Sequence, residues 1–188
     1  MDEPDLFLVG ERVALGPLRR DLAVLQARWM NSPDVRFGLQ HAGLSTQETE
    51  EAWIDETVKA GAEREPTAAG FLIYDRTDLV PVGNATLFSI NHMNATSKYG
   101  ILLGERRGKG FGTEATWLIL GWAFETLGLR NVLLEVLAWN TGAIQAYERA
   151  GFRRIGTRRG ASNSRGARTD VVMMDAIPED RPDSPFGE

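Results

Sequence analysis

The chain predicts a single-domain α/β fold with a mixed, mostly antiparallel sheet flanked by helices, in the order β-α-α-β-β-β-α-β-α-β-β. Three observations carry this. The 188 residues are 43% hydrophobic, enough for one packed core. Runs of helical period interrupt a series of β-rich runs, the pattern of a mixed sheet. Past mid-chain, an apolar strand-like run (residues 99–103) enters a turn holding Gly104, Gly108, Gly110 and Gly112, and an apolar helical run (residues 115–127) leaves it.

The elements follow in order. Residues 7–18 read as strand, turned at Gly10-Glu11, with Val13 and Leu15 on one face. Asp21 is a candidate N-cap for a helix over residues 22–30, where Leu22, Leu25 and Trp29 fall at helical spacing, and Asn31-Ser32-Pro33 ends it. Residues 34–44 read as irregular. Ser45-Thr46-Gln47-Glu48 looks like a capping box for a second helix to about Ala60, with Trp53, Ile54 and Val58 inward. Strands are expected at 71–74 and 80–90, with a bulge at Gly83, and at 97–103. After the glycine-rich turn comes its helix, closed by Gly128, then a strand at 132–138 and a helix from Thr141 to Ala150 with Gly151 at its C-terminal cap. Strands at 152–158 and 169–177 end the domain (residues 1–177). Residues 178–188, rich in proline and acids, read as a disordered acidic tail.

Composition narrows the function. The net charge of −5 argues against a nucleic-acid-binding face. No apolar run approaches the ~20 residues of a membrane span. The acidic start, Met1-Asp2-Glu3-Pro4-Asp5, lacks the apolar stretch of a signal peptide, so a cytoplasmic protein is expected. There is no cysteine, which excludes disulfides and thiolate metal sites, and no metal site is expected.

The glycine-rich turn reads as an anion cradle. Glycines let the backbone turn sharply and approach a ligand closely. Backbone N–H groups at the start of the following helix would point inward, where the helix dipole adds partial positive charge. Arg106, Arg107 and Lys109 add full charges. Two familiar cradles do not fit. A phosphate-binding P-loop needs four residues between its glycines and a hydroxyl after the lysine. Here Gly104 and Gly108 are one residue too close, and Gly110 follows Lys109. A dinucleotide fingerprint needs G-x-G-x-x-G in the first strand–helix turn, whereas this is G-x-G-x-G past mid-chain.

Arg107-Gly108-Lys109-Gly110-Phe111-Gly112 instead resembles the acyl-CoA loop of the GNAT superfamily of N-acetyltransferases, [QR]-x-x-G-x-[GA]. Downstream, Asn140, a short helix, Tyr147 and Gly151-Phe152 resemble the same family's second motif. The details are most similar to the branch of ribosomal-protein-alanine N-acetyltransferases and related small-amine acetylases, over about residues 7–177. The resemblance implies a strand before the cradle and a strand before the second motif that run parallel and splay apart around the pantetheine arm. It implies acetyl-CoA as cosubstrate, held by the main chain of Ile101, Leu102 and Leu103, by Arg107, Gly108, Lys109, Gly110, Phe111, Gly112 and Thr113, and by Asn140, which could also cap its helix. A backbone N–H near Leu102 would polarise the thioester carbonyl, and Tyr147 would protonate the leaving thiolate. The acceptor would be the amine of a small molecule or a protein N-terminus, with a homodimer among the allowed assemblies and neither nucleic acid nor membrane as partner.

Without a cysteine, direct attack by the amine on the bound thioester is the economical route. The general base is less evident. Relatives often carry Glu on the strand before the cradle; here Lys98 stands there, before Tyr99-Gly100. His92, Glu135 and His41 are the candidates; His92 and Glu135 have the plainer alternative of a solvated side chain, and His41, in the loop between two helices, fits an acceptor-binding residue better. Trp139 could wall the acceptor site or belong to the core. The segment 153–168 holds six arginines and no acid, fitting either recognition of an anionic group or a flexible solvated hairpin. A second functional class stays open: a non-catalytic acyl-CoA-binding regulator, favoured by Lys98 and opposed by Tyr147 and Asn140.

Overall fold

A computed structural model describes residues 3–40, 43–164 and 166–186. The β-rich runs form β1 (Leu8–Val9), β2 (Val13–Pro17), β3 (Ala69–Asp75), β4 (Pro81–Asn91), β5 (Thr96–Leu103), β6 (Asn131–Leu137), β7 (Arg153–Ser164) and β8 (Ala167–Ala176). They make one sheet in the order β1-β2-β3-β4-β5-β6-β8-β7. Every neighbouring pair is antiparallel except β5 with β6. The helices are α1 (Ala23–Asn31), α2 (Pro33–Leu39), α3 (Gln47–Gly61), α4 (Phe111–Glu125) and α5 (Thr141–Ala150). The single-domain mixed α/β fold expected from sequence is thus the one adopted, with one helix, α2, added to the expected order and the first strand run split into β1 and β2.

Alternation along the strands sorts the core into two faces. On one, Val13, Leu15, Ile73, Leu87, Tyr99 and Val136 pack with Ala115 and Ile119 of α4 and Ile144 of α5. On the other, Leu72 and Tyr74 meet Ala23 of α1 and Ile54 of α3, and Leu102 meets Trp29 and Val35. No helix among the described residues is long and apolar enough to cross a membrane.

Several local expectations shift. Residues 34–39 are helical, because Pro33 occupies the first turn of α2 with its preset φ and dispensable N–H, and Val35 is buried. The α3 capping box is Thr46 with Thr49, one residue beyond the expected Ser45 and Glu48: each side chain accepts from the other's backbone N–H. That moves the buried stripe of α3 to Glu50, Ile54 and Thr57 and leaves Val58 47% exposed. Gly83 keeps register with Ile73, and the slip in the β3–β4 ladder falls beside it, where Tyr74 pairs with Pro81 and Val82 is the extra residue. Glycine is needed at 83 for another reason: a Cβ there would strike the Leu102 carbonyl.

The C-terminal segment is also corrected. Pro178–Asp180 form a 3-10 turn, and the chain then lies along α4 instead of hanging free. Arg181 stacks on Trp117 at 4.1 Å and donates from Nε to the Trp117 carbonyl at 3.1 Å. The Trp117 indole N–H donates to the Pro182 carbonyl at 2.7 Å. The physical reason lies in α4 itself, which is apolar nearly all round and needs cover on its outer side as well. The arginine-rich segment is likewise no loose linker. β7 and β8 pair from Arg153↔Asp175 out to Ser164↔Ala167, across register shifts, and the Ser162 hydroxyl bonds the Gln40 side chain at the end of α2.

Candidate active site

The site begins where the sheet fails to close. β5 and β6 pair at only three positions, Thr96↔Asn131, Ser97↔Val132 and Lys98↔Leu133, although both strands continue. Beyond Lys98 the edge of β5 facing β6 is without a strand partner among the described residues. A cavity of about 470 Å³ fills this wedge.

Gly110 caps α4 in a left-handed conformation at φ 80°, as does Gly108 at φ 80° before it. These two positions need glycine. Phe111, Gly112 and Thr113 form the first turn of α4, so its unpaired N–H groups begin at the cradle, four residues earlier than the sequence reading placed the helix. A Cβ on Gly112 would meet Leu103 Cδ1 at 3.2 Å and Ile101 Cδ1 at 3.9 Å, so these side chains sit beneath the turn. Ile101, Leu102, Leu103, Gly108, Gly110 and the first turn of α4 all line the cavity.

The three cations separate. Arg107 lines the cavity, donates from Nε to the Leu103 carbonyl at 2.8 Å and pairs with Asp34 of α2 at 3.5 Å. Lys109 is absent from the lining; its carbonyl instead accepts from Arg12 at 3.3 Å. Arg106 turns away to Asp75 and Asp78, bonding Asp78 Oδ2 at 2.7 Å, and so anchors the root of the loop rather than adding charge to the cradle. Burial of Asp75 opposes its ionisation, but the Thr77 hydroxyl and amide and the Arg106 guanidinium outweigh this and hold the carboxyl at about 2.

Across the wedge, Asn140 caps α5, its Oδ1 accepting from the Ala143 N–H at 3.3 Å while the residue also lines the cavity. The capping alternative for Asn140 is therefore realised, and it leaves the side chain at the wall. Tyr147 projects from α5 into the cavity, its ring edge-on to Tyr99 at 6.4 Å and to Phe152 at 5.9 Å. Burial pushes its phenol up to about 12. Tyr99 is different: its hydroxyl is buried and bonded to Thr116 Oγ1 at 2.9 Å, and Thr116 donates on to the Gly112 carbonyl at 2.6 Å. Tyr99 thus braces the first turn of α4.

Among the residues considered as base, one of those described lines the cavity. His92 Nε2 bonds the Pro66 carbonyl at 2.9 Å, and the residue is absent from the cavity lining. His41 lies outside the described residues. Lys98 is exposed at the last rung of the parallel ladder. Glu135 lines the cavity, two residues past that rung, and pairs with Arg158 of β7 at 3.2 Å. Because Leu133 pairs with Lys98, Glu135 shares the face of Lys98 and Gly100, opposite that of Tyr99. Trp139 is 44% exposed and absent from the lining. Asp34, Val35, Gly38 and Leu39 of α2 close the far side of the cavity. Sequence reading missed them, since it held that stretch irregular; the Pro33 helix start was the signal available.

With this geometry in view, the relatives can be set beside it. A family model described as Acetyltransferase (GNAT) domain matches residues 12–153. The chain is 28% identical over 107 residues to an uncharacterised N-acetyltransferase p20 of Bacillus licheniformis, a match spanning 56% of this chain and 60% of that protein. Its fold matches the Vibrio cholerae spermidine N-acetyltransferase solved with CoA and spermine, at TM-score 0.80 and 20% identity, over 91% of this chain and 98% of the other. It also matches a Vibrio cholerae protein proposed to be a ribosomal-protein-serine acetyltransferase, at TM-score 0.72 and 22% identity, over 93% and 99%.

Proposed function

The chain belongs to the GNAT acetyltransferase family, and from that premise we propose that it transfers an acetyl group from acetyl-CoA to a primary amine by direct attack in a ternary complex. The observation that carries this reading is the wedge between β5 and β6, which brings Tyr147 and Glu135 to one cavity from opposite faces of the sheet beside the cradle. The pyrophosphate would lie on the N–H groups at the start of α4 and against Arg107, and the pantetheine arm along the unpaired edge of β5 past Asn140.

The acceptor enters from the α2 face. Glu135 takes the proton that frees the amine lone pair, standing in for the Glu that Lys98 replaces. Nitrogen attacks the thioester carbon, and a backbone N–H near Leu102 bonds the oxygen as it gains charge. The C–S bond then breaks, and Tyr147 gives its proton to the departing sulfur. With a pKa of about 12 the phenol is loaded at every working pH, and the proton shed by nitrogen restores it.

A small cationic amine suits the acceptor end best. Glu135 lines it, the chain carries a net charge of −5, and the spermidine N-acetyltransferase of the same fold holds spermine. Protein N-termini form the second acceptor class, in keeping with the ribosomal-protein branch. The test is a screen of amines with acetyl-CoA, reading thiol release. Acetylation of at least one small cationic amine is expected. If no amine is acetylated while CoA binds tightly, a CoA-binding regulator replaces this reading.

A further inference from the structure

We propose that Arg12 is a positioning residue for the cradle: it fixes the Lys109–Gly110 peptide so that the Gly110 N–H faces the cofactor's pyrophosphate, and the Phe186 ring holds Arg12 in place. The proposal rests on the acyl-CoA reading above and assigns to it a part played by the two ends of the chain.

Arg12 lies in the turn between β1 and β2. Its own N–H and those of Glu11 and Val13 donate to the carboxylate of Glu114 at 2.8, 2.6 and 2.9 Å. Glu114 is 2% exposed and one turn inside α4, its N–H bonded to the Gly110 carbonyl at 3.1 Å. The turn is thus hung on the helix that starts at the cradle. Gly10 belongs to the same device, since a Cβ there would lie 2.7 Å from the Glu114 carboxyl carbon. From this anchor Arg12 reaches the Lys109 carbonyl at 3.3 Å, while its guanidinium carbon sits 3.7 Å from the centre of the Phe186 ring.

The carbonyl and N–H of a trans peptide point to opposite sides. Drawing the Lys109 carbonyl outward to Arg12 therefore turns the Gly110 N–H the other way. Accordingly Gly110 lines the cavity and Lys109 does not. This peptide needs a hold. It joins Lys109 to the left-handed Gly110, one residue after the left-handed Gly108, and glycines rotate more freely than any other residue type. Flipped, it would present a carbonyl to an anion and withdraw a donor.

The experiment is calorimetric titration of the full chain with CoA, paired with steady-state kinetics. Arg12→Ala should raise the CoA Kd up to about tenfold, the upper end of what an ordinary hydrogen bond is worth. Arg12→Gln keeps a donor without the charge and should recover most of that loss. Phe186→Ala should weaken binding in the same direction, and Phe186→Trp should restore it. For Arg12→Ala, kcat at saturating acetyl-CoA should stay within about twofold of the parent, and kcat/KM with S-acetylpantetheine, which has no pyrophosphate, should hold. Equal weakening by Arg12→Gln and Arg12→Ala would assign the effect to charge and overturn the proposal. So would an equal loss with S-acetylpantetheine, or a Phe186→Ala protein that binds like the parent. A parent that fails to bind CoA sinks the acyl-CoA reading itself; a parent that binds, beside an Arg12→Ala protein that binds equally well, sinks this inference alone.

Discussion

The cradle and the proposed acceptor mouth line the same cavity but are made in different ways. Residues 108–113 are contiguous and present main-chain donors, supported from beneath by Ile101, Leu103 and the chain of hydroxyls from Tyr99 through Thr116. The mouth takes Leu39 from α2 and Glu135 from β6, with Arg158 of β7 behind Glu135, side chains from three elements of the chain. A pyrophosphate is the same in every reaction of this kind, so backbone geometry suffices to hold it. An acceptor has to be told apart from its competitors, and that falls to side chains.

If this division is sound, substitutions at the two ends should fall into separate kinetic classes. The largest effect belongs to Tyr147→Phe, which keeps the ring contacts with Tyr99 and Phe152 and removes the proton. A general acid is worth ~10²–10⁴ in rate, so kcat should drop by that order with CoA affinity nearly unchanged. An equal loss of CoA affinity in the titration would make Tyr147 part of the cofactor end and erase the distinction.

Next comes Glu135→Gln. Near neutral pH kcat/KM should fall roughly 10²-fold, the lower bound for general-base help, and recover as alkali neutralises the amine unaided. Burial raises the Tyr147 phenol from its ordinary 10 to about 12, so the acid form persists to higher pH and any descending limb it causes moves up by the same amount. A pH–rate profile checks both. His92→Ala should leave the profile untouched; if it removes the rising limb instead, Glu135 is not the base.

Gly112→Val should weaken CoA about tenfold, a change of ~1.4 kcal/mol, with kcat preserved and the melting temperature little moved. Gly112 has an ordinary helical backbone, and its neighbour, the end of Leu103, can shift. Gly110→Val is a poorer probe, because φ 80° strains any side chain there regardless of the ligand. A folded Gly112→Val protein that binds CoA like the parent would put the cradle elsewhere.

The smallest effect on rate belongs to the root of the cradle. Asp75 titrates at about 2 when folded against 3.8 as a free side chain. Its contribution is present above pH 4 and lost as pH falls through 2, on the order of 2 kcal/mol in all. Denaturant unfolding across that range should show a shallower slope in Asp75→Asn than in the parent, because Asp21, Asp78, Glu48 and Glu51 are also held low and keep their share, with kcat at neutral pH alike in both.

What could be read from sequence divides along the same line. Gly108, Gly110, Asn140 and Tyr147 were legible because each motif is local: a left-handed turn, a cap and one helix face lie within a few residues. Arg106 and Lys109 read as cradle charges by proximity alone, but Asp75 and Asp78, distant in sequence, draw Arg106 off, and Lys109 lies outside the lining with its carbonyl on Arg12. Residues 178–186 looked disordered because proline and acid composition says nothing of Trp117 or of the apolar outer side of α4 that they cover. Glu135 was visible only as one carboxylate in an alternating strand. What singles it out is the point at which the parallel ladder stops, and that depends on the register of two strands separated by a helix.

That short ladder has a mechanical consequence. Thr96, Ser97 and Lys98 act as the pin of a hinge whose two leaves are β5 and β6. From Lys98 to Leu103 the leaf is about 17 Å long, so a rotation of about 5° at the pin moves its far end by about 1.5 Å. Leverage of this kind lets residues that never touch a ligand set the gauge of the slot. Ser97, whose buried hydroxyl has no hydrogen-bond partner among the described residues, sits at that fulcrum.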